Sequence, residues 1–234
     1  MTSPIGALMN HRAVALVCGI FFMLGLLRLN DLSSCTPDSC RYLIWGNSLA
    51  HGHGYLDPTQ PDPDRFVVYP PLYPVLIAPV EAVFPMSLLA VKVWTLLWGV
   101  LALILFYFWI LSAFGKRAAI WTTLMFALNP AMLLFSTEAL SEAPFIAIVL
   151  LILILVEKST MAEGAGGWSF WLFLLLLPAV TLVRETGIAL VMAVVFVLIS
   201  RRQVKRAFLA FAVAAVILSL WYIRNQVLVV PRVA

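Results

Sequence analysis

The chain has 234 residues, of which 63% are apolar and 11% charged, with a formal net charge of only +4. Soluble domains run at roughly 45–50% apolar and about 25% charged, so this composition excludes a water-soluble globular fold. The small positive balance gives no footing for nucleic-acid binding. What it implies is an all-α, polytopic membrane helix bundle, one membrane domain over residues 1–234, in which the placement of charge between spans sets orientation.

The first apolar run, "AVALVCGIFFMLGLL", follows the basic opening "MTSPIGALMNHR" and looks superficially like a signal peptide. No small-x-small cleavage pattern follows it; Arg28, Leu29, Asn30 and Asp31 come next. We read it as a retained first span, 12–28. Further apolar runs at 88–113, 118–135, 142–157, 168–182, 185–200 and 206–224 bring the expected count to about seven, each facing roughly 30 Å of hydrocarbon. With the N-terminus cytoplasmic, seven single crossings leave Arg12, Lys116, Arg117, Lys158 and the run "RRQVKR" all inside. The long loop then lies outside, with Asp31, Asp38, Asp57, Asp62 and Asp64 against Arg41 and Arg65. The external region runs over 29–87, the helix bundle over 88–224, and a short external tail over 225–234.

Two juxtamembrane helices are expected in that external region. Thr36 is a plausible N-cap and Pro37 suits the first helical position. Asp38 falls in the first turn, where negative charge is favoured. Tyr42, Trp45 and Leu49 share one apolar face, and the helix should end near "HGHG". "YPPLYPVLIAPVEAVFP" is apolar but broken by Pro70, Pro71, Pro74, Pro79 and Pro85. As a full span it would reverse every later loop, so we expect a helix lying in the outer interface.

Ionisable groups near the outer face are few enough to weigh singly. Asp38 is either a helix-start acid paired with Arg41 or a base at the membrane surface. Glu138 and Glu142 are four apart, on one face if a helix continues through them; a carboxylate at membrane depth is a functional candidate, and a helix cap at Ser141 is the ordinary alternative. Arg184 and Glu185 interrupt an apolar stretch, Arg224 closes the last run, and Lys92 lies one turn into the second. Cations at one face suit a phosphate-bearing lipid, whereas simple snorkelling to headgroups needs no ligand. Snorkelling is the expectation for Lys92 and ligand contact for Arg184. His51 and His53 form a weak metal pair, and Cys35 with Cys40 can form a short-range disulfide or remain thiols.

Four stretches together carry a family resemblance: "PDSCRYLIWGNSLAHGHGY", "YPPLYP", "ALSEAPF", and "TLVRETG" followed by "WYIRN". In this order and spacing they resemble the GT-C polyprenyl-phosphate-sugar glycosyltransferases, the group of the aminoarabinose transferases and protein O-mannosyltransferases. The resemblance implies a catalytic aspartate at Asp38, a second acid at Glu142, and an arginine at the outer mouth at Arg184. It singles out Tyr42 as well, and Arg224, Tyr69, Glu138 and Lys92 complete the candidate substrate contacts; Tyr69 stands where some relatives have lysine. Asp38 as general base would remove the acceptor proton in an inverting displacement, with the arginines neutralising the departing phosphate. No cofactor is required; a divalent cation, if used, would fall to Asp38 and Glu142.

The implied partners are a polyprenyl-phosphate sugar donor, a lipid, glycan or protein acceptor, and the bacterial inner membrane. Relatives usually continue beyond this point, so the expectation is either a minimal or truncated enzyme or one whose missing helices come from a partner chain. The competing classes are a non-catalytic membrane scaffold and a multi-span transporter or lipid-binding protein.

Overall fold

The structure is a computed structural model that describes residues 4–32, 37–60, 69–161 and 167–229. Among them the regular elements are helices: α1 (Pro4–Arg28), α2 (Pro37–Ala50), α3 (Leu72–Val83), α4 (Leu88–Ala127), α5 (Pro130–Thr137), α6 (Glu142–Met161), α7 (Trp168–Val183), α8 (Ile188–Ser200) and α9 (Val204–Val229), with a single 3-10 turn, Glu185–Gly187, before α8. The chain forms two compact units, one of Met1–Cys40 with Ser87–Leu150 and the other of Arg41–Met86 with Leu151–Ala234.

In the first unit α1 packs along α4, and α5 packs against both. Phe21, Leu96, Ala102, Leu103, Met132, Ala147 and Leu150 form the shared core. α4 starts cleanly because the Ser87 side chain accepts the Ala90 N–H. Inside it, Gly115 takes φ 78° and ψ 179°, which breaks the helix just before Lys116 and Arg117. Only glycine reaches that conformation at low cost. α5 opens on Asn129, whose Oδ1 accepts the Ala131 N–H at 2.9 Å, followed by Pro130.

In the second unit α7, α8 and α9 pack together and α3 lies against α7. Leu177, Val180, Val183, Val191, Leu198 and Ala210 are buried there. The turn from α7 into α8 is tight: a Cβ on Gly187 would stand 2.6 Å from the Val180 carbonyl carbon. On the outside of the helices, large apolar side chains such as Leu27, Trp121, Met125, Phe196 and Phe208 are exposed. Apolar exteriors of this kind are solvated by lipid, and helix association then rests on packing rather than on exclusion of water.

The expected seven crossings are not what the helices provide. Among the described residues, α4 and α9 are long and apolar enough to cross a membrane, and α5 with α6 would make a third only as a span bent by 111°. The reasons are local. Gly115 breaks α4, and the stretch after it ends at Ala127, too short to cross alone. α7 and α8, of 16 and 13 residues, rise only about 24 and 20 Å at ~1.5 Å per residue. The two short helices of the first long loop do form. α2 begins at Pro37 and ends just before His51, and α3, at 12 residues, is too short to span by the same measure.

Candidate functional site

Two carboxylates stand at helix starts in the first unit. α2 opens on Pro37, and Asp38 occupies its first turn, half-buried beside the fully buried Ser39. The unsatisfied N–H groups of that turn favour a negative side chain. Glu142 repeats the arrangement as the first residue of α6: it is half-buried, and the Phe145 N–H bonds to the Ser141 carbonyl at 3.0 Å, which starts the helix there. The cap expected at Thr36 and the disulfide partner Cys35 lie outside the described residues. Cys40 is an exposed free thiol.

Glu138 and Glu142 do not share a continuous helix face. Glu138 ends α5 in an extended conformation, and the chain turns 111° before α6 begins. Glu138 instead meets Lys92, whose Nζ lies 3.0 Å from Glu138 Oε2. The ammonium also donates to Asn30 Oδ1 at 3.2 Å and to the Leu32 carbonyl at 2.6 Å. Lys92 was expected to snorkel, yet it is 1% exposed. It is held inward by three oxygens from two segments, two of which accept hydrogen bonds from the ammonium while the third meets its charge. Arg28 adds a fourth tie, its Nε donating to Thr137 Oγ1 at 3.2 Å.

The second unit contains an aromatic cluster edged by two arginines. Tyr42 packs edge-on against Tyr73, Trp45 and Tyr69, with ring centroids 4.7, 5.9 and 6.2 Å away. Tyr42, Trp45 and Tyr73 are buried, whereas Tyr55 and Tyr69 are only half-buried. Tyr55 donates its hydroxyl to the Tyr69 carbonyl at 3.0 Å. Arg41 donates to Tyr69 Oη at 3.2 Å and sits 5.7 Å from that ring's centre. Arg224 donates to the Tyr55 carbonyl at 3.3 Å and to Asn225 Oδ1 at 2.9 Å, and it lies over the Tyr55 and Trp221 rings at 5.7 and 5.1 Å. Burial pushes the Tyr55 hydroxyl well above the ordinary tyrosine range; neighbouring Tyr42 adds to the rise and Arg224 opposes it. The structure thus brings Tyr42 beside Tyr69 and places Arg224 at the edge of the same cluster. Arg184 stands apart from it in sequence as the extended residue between α7 and the 3-10 turn, half-buried.

Sequence reasoning gave no role to Tyr55 and Trp221, though both lie in the stretches that carry the resemblance, and it passed over Glu81. Glu81 is fully buried on α3, and its Oε2 accepts the Met86 N–H at 2.7 Å, which steadies a turn where Met86 has φ 55°. Burial raises its pKa above the ordinary carboxylate range, while the Met86 N–H and the charge of His51 act in the opposite direction. The available signal was an acid inside an otherwise apolar, proline-rich segment. His51 and His53 stack with ring centres 6.5 Å apart, and His51 Nδ1 lies 2.9 Å from the Asn47 carbonyl. Among the described residues no three His, Cys, Asp or Glu side chains converge to hold a metal. Magnesium and calcium take six or more oxygen ligands, so Asp38 and Glu142 alone would supply only a minority of them.

A family model described as dolichyl-phosphate-mannose-protein mannosyltransferase matches residues 68–223. No curated protein and no solved structure matches.

Proposed function

We propose, from the premise that the chain belongs to the dolichyl-phosphate-mannose-protein mannosyltransferase family, that it moves a sugar from a polyprenyl-phosphate donor to an acceptor hydroxyl. The family supplies the activity class, the lipid-linked donor and the membrane setting. The roles of individual residues are our reading of this chain.

Asp38 acts as general base. As the acceptor oxygen bonds to the anomeric carbon, its proton passes to the Asp38 carboxylate. The bond from that carbon to the phosphate oxygen breaks, and the electron pair leaves with the lipid phosphate. Displacement in one step inverts the anomeric centre. The phosphate is a good leaving group once its charge is met, and Arg184 and Arg224 meet it. Glu142 orients the acceptor hydroxyl. Tyr42 and Tyr69 are further substrate contacts, and Arg41 is held over the Tyr69 ring as an additional cation.

The observation that carries this reading is the position of Asp38. It is a half-buried acid in the first turn of a helix of 14 residues, too short to cross a bilayer. That arrangement suits a base working at the membrane surface. The loop carrying it lies outside, with the basic run at Arg201–Arg206 in the cytoplasm. A cysteine introduced at Gln60 should then react with an impermeant thiol reagent from outside, and one at Gln203 only after permeabilisation; the reverse pattern sinks the orientation. Asp38→Asn keeps the shape of the side chain but removes its basicity. It should abolish sugar transfer without lowering the amount of folded protein, and undiminished transfer would remove Asp38 from the mechanism.

A further inference from the structure

The Glu142 carboxylate of the proposed reaction follows a short irregular segment that is tied to a buried ammonium. The same ammonium donates to the Leu32 carbonyl. Glu138, the ion-pair partner of Lys92, precedes Glu142 by four. Lys92 itself sits in the first turns of α4 and is anchored through that helix to the core around Leu96.

The segment between α5 and α6 is not a surface loop. Ser136, Thr137, Glu138, Ala139, Leu140 and Ser141 are all buried, and the Leu140 N–H closes a tight turn onto the Glu138 carbonyl at 2.8 Å. Irregular backbone within a membrane protein persists only where the protein itself satisfies it. Here Arg28 holds Thr137 and Lys92 holds Glu138, so the exit direction of α6 is set by two cations from α1 and α4. The contact between Lys92 and Glu138 is charge to charge rather than an aligned hydrogen bond, since Oε2 has no hydrogen-bond partner while lying 3.0 Å from Nζ. With two donor bonds, one ion pair and 1% exposure, Lys92 is enclosed by the chain's own groups.

We infer that Lys92 is a positioning residue: with Glu138 it holds the segment that aims Glu142, and it does not touch the donor lipid. This rests on the proposed role of Glu142. It makes a sharp kinetic distinction, because a phosphate-binding lysine would act on donor affinity. A displacement of about 1 Å at a reacting group costs on the order of 10²-fold in rate.

Lys92→Met alone leaves a carboxylate buried without its cation, so the informative variant is Lys92→Met with Glu138→Met, which removes both charges and keeps the volume. In the full chain in lipid nanodiscs, with polyprenyl-phosphate mannose as the probe, this double variant should lose about 10²-fold in kcat while its donor KM moves less than about threefold. Lys92→Arg should not rescue it, since a planar guanidinium cannot replace an ammonium among three separate oxygens. Amide hydrogen exchange should rise at residues 138–142 and 29–32 and stay unchanged in the α4 core around Leu103. A donor KM that rises with kcat intact makes Lys92 a ligand contact and overturns the inference, as does unchanged kcat with unchanged exchange. Absence of transfer by the wild-type chain strikes the proposed function instead; exchange then decides alone, and unaltered protection at 138–142 in the double variant overturns the positioning role.

Discussion

Replacing Lys92 by methionine is the sharpest stability perturbation available in the first unit. Its ammonium lies 3.0 Å from Glu138 Oε2, and the two side chains are 1% and 12% exposed. At an effective dielectric of about 20, charges at this separation attract by about 5 kcal/mol. Removing both from water costs several kcal/mol per ion, so the intact pair adds little net stability. Breaking it is a different matter, since methionine leaves the Glu138 charge buried with nothing opposite. That typically costs about 3–5 kcal/mol. For a chain of this size each kcal/mol moves the unfolding midpoint by about 2–4 °C, so the loss should be about 6–20 °C. Glu138→Met should cost a similar amount by stranding Lys92. The variant with both changes should recover most of the loss, giving a coupling of at least about 2 kcal/mol in a double-mutant cycle. Thermal unfolding in mild detergent, followed by far-ultraviolet circular dichroism, measures all four chains. Single changes that each cost under about 1 kcal/mol and simply add would show that the ammonium is solvated, contrary to its place among three oxygens.

Three further outcomes follow from particular contacts. Glu81 has a raised pKa in the folded chain, so the folded state holds its proton where the unfolded state has released it. Stability must then fall as pH rises from the ordinary carboxylate value through the raised one. Glu81→Gln keeps an acceptor for the Met86 N–H and should flatten that decline above the ordinary carboxylate value, measured as the midpoint against pH; an unchanged slope assigns the decline elsewhere. Gly187→Ala drives a Cβ to within 2.6 Å of the Val180 backbone, which cannot give way as a side chain would. It should cost about 1–3 kcal/mol, and a neutral effect on the unfolding midpoint would refute the close approach. Arg224→Gln removes the cation from the Tyr55 and Trp221 rings and from the Tyr55 carbonyl. Donor KM should rise about tenfold or more, and an unaltered KM would take Arg224 out of the lipid-phosphate contacts.

How legible the fold was depended on the kind of signal. Proline placement at Pro37 and across 70–85 marked two short helices where α2 and α3 form, because proline fixes φ and cannot continue a helix interior freely. Charge placement marked the breaks near Lys116 and Arg184. Hydropathy alone misled the span count, since it cannot see that the helix after Gly115 stops at Ala127, nor that α5 and α6 meet at a steep bend. The same limit hid the relation between Glu138 and Glu142: a spacing of four implies one face only if the helix runs through both, and here it stops between them. Lys92 was misread because burial of a lysine depends on oxygens from Asn30, Leu32 and Glu138, which come together only in three dimensions. The aromatic cluster was half visible, through the helical spacing of Tyr42 and Trp45; Tyr55 and Trp221, far apart in sequence, join through tertiary packing.

The central claim is that a polyprenyl-phosphate sugar is consumed in a single displacement assisted by Asp38. Its most direct test follows the donor lipid itself. Purified wild-type chain and Asp38→Asn, in nanodiscs, are each given polyprenyl-phosphate mannose carrying a labelled sugar, with membranes lacking the protein as the source of acceptor. The account predicts that the wild type releases one polyprenyl phosphate for every labelled sugar joined to acceptor, and that Asp38→Asn releases none above background. Sugar transfer of equal rate by both chains, or none by the wild type while the donor stays intact, would contradict it.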